Sequence, residues 1–186
     1  QQLAEAVCGQ IEQDFTEMHA SWHAWKPGPV ASLNKHLSSL EPDTPEPSIL
    51  ALLKEANRLS RLSTGLFNPL IGNLVALWGF HDNALPVGTI PDDTSINKLL
   101  AQAPSSNDIS IDGTTISSSN PSVAYDLGGF AKGYAIDRAI DRLRKAGIHN
   151  AIVNAGGDLR AIGKHGERPW RIGIRHPREN GILASI

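Results

Sequence analysis

The sequence holds one cysteine, Cys8, so it can build neither an internal disulfide nor a Cys-cluster metal site. It has no apolar run near the ~20 residues that span a bilayer. No charge of one sign dominates. The 17 basic and 19 acidic side chains leave a formal net charge of −2, which makes nucleic acid a poor partner. An initiator methionine and a signal peptide are both missing. The first residues already read as a helix over 1–15, and residues 182–186 read as a strand in progress. The chain is therefore expected to be a fragment of a longer polypeptide, with any leader removed or lying outside it.

What is present is enough apolar material for a core: 40% hydrophobic residues in a chain of 186. That excludes wholesale disorder and predicts a single domain over 1–186. Leu3, Val7, Ile11, Phe15 and Met18 recur every three or four residues, marking one face of a helix. Three prolines make residues 41–47 a loop. Ser48 then reads as an N-cap. Ile49, Leu52, Leu53, Ala56, Leu59 and Leu62 form the buried face of a helix that Gly65 stops. Residues 70–78 suit a helix, 86–91 a loop and 96–101 a short helix. Asp112-Gly113 between alternating segments signals a tight hairpin. Ala131, Ala135, Ala139 and Leu143 give the clearest helix stripe, ended at Gly147 behind Arg144 and Lys145. Strands are expected at 151–154, 159–162, 170–175 and 182–186. The predicted class is α/β of the α+β type, a mixed and largely antiparallel sheet flanked by helices.

Chemistry concentrates in four segments. Asp126-Leu127-Gly128-Gly129-Phe130-Ala131-Lys132-Gly133 runs from a strand end through two glycines into a helix. Helix N-termini favour anions and glycines admit close backbone approach. Lys132 in the first turn is disfavoured by the helix dipole unless an anion such as phosphate joins it. Gly133 inside the helix implies that something packs close. An ordinary βα turn with a solvated Lys132 is the alternative. In the second segment, Asn154-Ala155-Gly156-Gly157-Asp158, the glycines fit either a hairpin turn or a ligand crossing bare backbone. In the third, Leu66, Phe67, Asn68 and Pro69 could wall a planar ligand. In the fourth, Trp22 and Trp25 could stack on a flat ring or enter the core. His19 and His23 are four apart and could share a helix face as metal ligands, but no third histidine lies near them in sequence to complete the site.

These segments, with Phe67-Asn68-Pro69-Leu70 through Trp78-Gly79-Phe80 and Trp170-Arg171-Ile172-Gly173-Ile174, together resemble the ApbE family of FAD:protein FMN transferases in order and spacing. The resemblance runs from about Trp22 to Pro177. It implies an ApbE-like, T-fold-related domain. It also implies Mg²⁺-dependent transfer of FMN from FAD to a Thr or Ser hydroxyl of a target protein, with release of AMP. Targets would be flavoproteins of membrane redox complexes. The location would be the periplasm or the outer face of the bacterial inner membrane, and a homodimer is compatible with the family. Carried over residue by residue, the FAD contacts fall on Leu66, Phe67, Asn68, Asp126 and Lys132. Trp25 would stack on the flavin, and Gly129 would offer its carbonyl to the metal. The family's first strand and its C-terminal metal-ligand segment have no counterpart in this sequence, so the fragment itself is expected to show little activity. Two other readings share the residues: an FAD pyrophosphatase giving FMN and AMP, and a non-catalytic flavin-binding module.

Overall fold

Pro29 and Pro47 each stand in the first turn of a helix, where a missing N–H costs nothing and a fixed φ helps. The structure, a computed structural model, describes residues 2–82, 86, 88 and 90–186. The predicted loop over 86–91 therefore falls partly outside the described residues. Helices α1 (Gln2–Ser21), α2 (Pro29–Ser38), α3 (Pro47–Leu62), α4 (Gly72–Leu77) and α5 (Asp93–Ala101) precede a hairpin of β1 (Ile109–Asp112) and β2 (Thr115–Ser118). Helix α6 (Ala131–Lys145) follows, then hairpins β3 (Ala151–Ala155) with β4 (Asp158–Ile162) and β5 (Gly173–Arg175) with β6 (Ile182–Ser185). The expected mixture of helices and antiparallel strands is present. Among the described residues the strands form three separate two-stranded sheets rather than one.

The chain divides into two compact units, residues 16–131 and residues 1–15 with 132–186. In the first, α2 buries Val30, Leu33 and Leu37, and α3 buries Ile49, Leu52, Leu53 and Ala56. Leu70, Ile116, Val123, Tyr125 and Leu127 complete this unit's interior. Two details of α3 differ from the sequence reading. Glu46 takes the N-cap position and Pro47 opens the helix, so Ser48 lies inside the first turn. Leu62 is 66% exposed. At about 100° per residue it lies about 220° round the helix from Ile49, off the buried face. Asn57 and Ser60 take the face instead.

The second unit has its own core of Val7, Ile136, Ile140, Leu143 and Ile162, with Ile11, Val153 and Ala155 packed against it. Leu3 does not join it and is exposed. Arg142 holds Asp14 by two bonds of 2.7 and 2.8 Å. Strand β5 starts at Gly173, three residues later than Trp170. Trp170 instead donates its indole N–H to the Ile162 carbonyl at 2.9 Å, and Ile172 pairs with Ile186 outside the named strands.

Tyr125 is the pivot of the first unit. Its backbone is clamped by the Asn34 amide, which donates to the Tyr125 carbonyl at 2.9 Å and accepts from its N–H at 2.8 Å. Its hydroxyl accepts from Asn57 Nδ2 at 2.6 Å. Tyr125→Phe should cost about 1–3 kcal/mol, because Asn57 is buried and loses this partner. Burial also pushes the Tyr125 phenol well above its ordinary value. The unfolded chain therefore gives up this proton first, from about pH 10 upward. The associated stability is complete below that pH and falls as pH rises. Thermal melts of Tyr125→Phe should show a lower Tm at pH 7 and a shallower alkaline decline than the parent.

Candidate functional site

Asp126 leaves the Tyr125 clamp already oriented. Its own N–H donates to the Pro69 carbonyl at 2.8 Å. One carboxylate oxygen, Oδ1, accepts the Gly128 N–H at 2.9 Å. The other, Oδ2, lies 2.9 Å from His81 Nε2. A carboxylate only accepts, so His81 carries the hydrogen on Nε2. The two side chains are 11% and 18% exposed, so the pair is shielded but reachable. His81 in turn stacks on Trp25, with ring centroids 4.9 Å apart and planes 15° from parallel. His81 directly follows the Trp78-Gly79-Phe80 stretch that the sequence singles out, but is not among the residues marked there. Its role depends on a partner 45 residues away, which no local pattern reveals.

The same turn meets the Phe67 loop. Phe67 and Phe130 have ring centroids 6.1 Å apart, and a Cβ built on Gly129 would lie 3.9 Å from Phe67 Cε2. Phe67 and Gly129, singled out separately in the sequence, are thus brought together. Leu66 is 92% exposed beside them. Asn68 faces elsewhere: its amide donates to the Pro104 carbonyl at 2.7 Å and accepts the Leu70 N–H at 3.0 Å, which makes it a brace for the loop. The turn's own amides are partly engaged. Phe130 and Ala131 both donate to the Leu127 carbonyl, at 3.0 and 2.7 Å. The expected cradle of free N–H groups is therefore smaller than the sequence implied.

Trp25 is 37% exposed. Besides His81 it meets the edge of His23, with centroids 4.7 Å apart. His23 and His19 approach through their Nε2 atoms at 3.4 Å. Burial, with His19 and Lys26 beside it, holds His23 below the usual imidazole range. Among the described residues no group of three or more His, Cys, Asp or Glu side chains could hold a metal. A groove of about 290 Å³ is bordered by Trp25, Asn34, Lys35, His81 and Ala124.

In the second unit Lys132 is neither free nor merely solvated. Its ammonium pairs with Asp158 Oδ2 at 2.8 Å, both side chains being more than half exposed. Asp158 sits at the Gly156-Gly157 turn, where Asn154 Oδ1 accepts the Gly157 N–H at 2.9 Å. That segment is a hairpin turn joining β3 to β4. Gly133 has open space around it, with no atom within 4 Å of a built Cβ, so the expected close packing is absent.

A family model described as the ApbE family matches residues 2–186. The FAD:protein FMN transferase of Rhodobacter capsulatus is 44% identical over 172 residues, covering 92% of this chain and 33% of that protein. The FAD:protein FMN transferase of Vibrio cholerae is 36% identical over 153 residues, covering 82% of this chain and 45% of the other. The chain thus spans less than half the length of these two relatives. Among solved structures, the ApbE protein of Thermotoga maritima superposes with a TM-score of 0.86 at 30% identity, covering 98% of this chain and 59% of that one. The flavin transferase ApbE of Vibrio cholerae gives 0.78 at 32% identity, covering 93% and 56%.

Proposed function

Because the chain belongs to the ApbE family, we propose that it serves to move FMN from FAD to a Thr or Ser hydroxyl of a target protein. The acceptor oxygen bonds to the FMN phosphorus, the pyrophosphate bond to AMP breaks, and the hydroxyl proton leaves with AMP or solvent. The observation that carries this reading is the Asp126 carboxylate, fixed through both oxygens at the mouth of a Gly-Gly turn. Asp126 takes a flavin-nucleotide hydrogen bond, Lys132 a phosphate, and Phe67 and Trp25 offer ring faces. Phosphoryl transfer depends on such positioning and charge neutralisation. Leu66 and Asn68 shape the loop that presents Phe67.

Mg²⁺ belongs to the reading as an ion that would neutralise charge on the phosphates. The described residues do not form a cage for it: Gly129 offers one carbonyl, and the nearby Asp126 carboxylate already serves His81 and Gly128. Mg²⁺ keeps several waters and takes few protein ligands, and no step here runs through it. Targets are read as flavoproteins of membrane redox complexes, met in the periplasm or at the outer face of the inner membrane. Among the described residues no helix is long and apolar enough to cross a membrane.

Incubation with FAD, Mg²⁺ and a Thr-bearing target peptide tests the proposal. Covalent flavin on the peptide with equimolar AMP supports transfer. Free FMN with AMP makes the activity a pyrophosphatase instead, and bound FAD with no product limits what this length of chain does by itself to flavin binding, as expected of a fragment.

Lys132 supplies a narrower prediction. An exposed ion pair contributes about 0–1 kcal/mol, so Lys132→Gln should change the stability of the ligand-free protein by less than about 1 kcal/mol. It should weaken FAD several-fold and leave riboflavin, which has no phosphate, unaffected. Thermal shifts with each ligand read both effects. Equal losses for the two ligands would remove Lys132 from the phosphate.

A further inference from the structure

We propose that His81 is a positioning residue for flavin-nucleotide binding, holding the Asp126 carboxylate through its Nε2–H while its ring backs Trp25. The inference rests on the reading of Asp126 and Trp25 given above, and it assigns a task to a residue that the family resemblance does not mark. Three separate chain segments meet at His81: the stretch after α1 that bears Trp25, the stretch after α4, and the turn before α6. The bond to Asp126 is 2.9 Å long and the stack on Trp25 is 4.9 Å at 15°.

Each contact answers a need of the proposed site. A carboxylate that accepts only from Gly128 could still swing about its Cβ–Cγ bond; a second donor on the opposite oxygen fixes the plane. A partly exposed indole used as a stacking platform needs a partner to limit its rotamers, and a parallel imidazole supplies one. Pre-ordering both groups lowers the entropy lost when a ligand arrives. One side chain therefore couples the orientation of a polar contact to that of a ring contact.

Two substitutions separate the contacts. His81→Gln keeps an N–H donor near the Nε2 position and gives up the ring. His81→Phe keeps a ring for Trp25 and gives up the donor. FAD affinity of the full chain is measured by flavin fluorescence, and ligand-free stability by thermal unfolding. The expected result is a loss of about tenfold for His81→Phe, one decade or 1.4 kcal/mol. His81→Gln should stay within about threefold of the parent and melt near the parent Tm, whereas His81→Phe, which leaves the largely shielded Asp126 Oδ2 without this donor, should melt a few degrees lower. If His81→Phe binds FAD as well as the parent, the positioning role is wrong. Equal loss in both variants together with an equally lowered ligand-free Tm would make His81 a structural residue and overturn it too. A parent chain that does not bind FAD would remove the flavin reading itself and this inference with it, an outcome distinct from the other two.

Discussion

Asp126→Ala is expected to weaken FAD binding by about 10–100-fold while the chain still folds. Hydrogen bonds to a charged group contribute about 1.5–3 kcal/mol, and 1.4 kcal/mol is one decade of affinity. The substitution also acts on the empty protein. It strips acceptors from the Gly128 N–H and from His81 Nε2, and His81 is mostly shielded from solvent. A second, smaller loss of about 1–2 kcal/mol in folding stability should accompany it. Asp126→Asn separates the two effects. Its amide oxygen can still accept from Gly128, but its NH₂ faces a His81 that is itself a donor, unless the imidazole changes tautomer. Asp126→Asn should therefore recover stability more fully than affinity. Titration of FAD by flavin fluorescence, beside thermal melts of all three proteins, reads the split. Parent-like affinity in a folded Asp126→Ala chain would show that the carboxylate serves only the turn.

Much of the fold was legible because its signals are local. The stripe through Ala135, Ala139 and Leu143 places α6 and its buried face, and Asp112-Gly113 places the first hairpin. The stop behind Lys145 follows from Gly147, whose φ of +79° suits glycine. The site was legible only in its chain-contiguous part, the turn from Asp126 to Gly129. What was hidden is carried by contacts between distant residues of unremarkable type. Asn34 to Tyr125 spans 91 residues, and His81 to Asp126 spans 45. Neither leaves a periodicity. Asn57 illustrates the same limit: a polar residue on a helix face reads as a break in the apolar stripe until Tyr125 supplies its partner. Lys132 was recognised as oddly placed for a helix dipole, but its carboxylate partner lies across a hairpin turn that sequence spacing alone could not dock.

Glycine gave both a missed constraint and a false one, and a pair of alanine substitutions with opposite expected signs follows. Gly72 opens α4, and a Cβ there would lie 2.8 Å from the Ala124 carbonyl oxygen and 3.2 Å from Ala124 Cβ. The close approach is itself hydrogen-bonded. Gly72 N–H donates to the Ala124 carbonyl at 2.8 Å, and Ala124 N–H donates to the Leu70 carbonyl at 3.2 Å. Two residues on, Asp126 N–H bonds Pro69 in the same run, so this backbone pairing delivers the carboxylate to the turn. Alanine would gain at most about 1 kcal/mol of helix propensity. Against that stand about 1–3 kcal/mol of overpacking and the weakening of two backbone hydrogen bonds, about 1 kcal/mol each. Gly72→Ala should thus be destabilising by about 2–5 kcal/mol. At about 2–4 °C per kcal/mol for a chain of this size, the Tm falls by roughly 4–20 °C. FAD binding should suffer in the same variant because Asp126 is displaced with the pairing. Gly133, inside α6, meets nothing within 4 Å, so Gly133→Ala should raise stability by about 0.5–1 kcal/mol. Paired thermal melts decide the matter. A stabilising Gly72→Ala would mean that the Ala124 segment yields easily, and the account of how Asp126 is held in place would then fail.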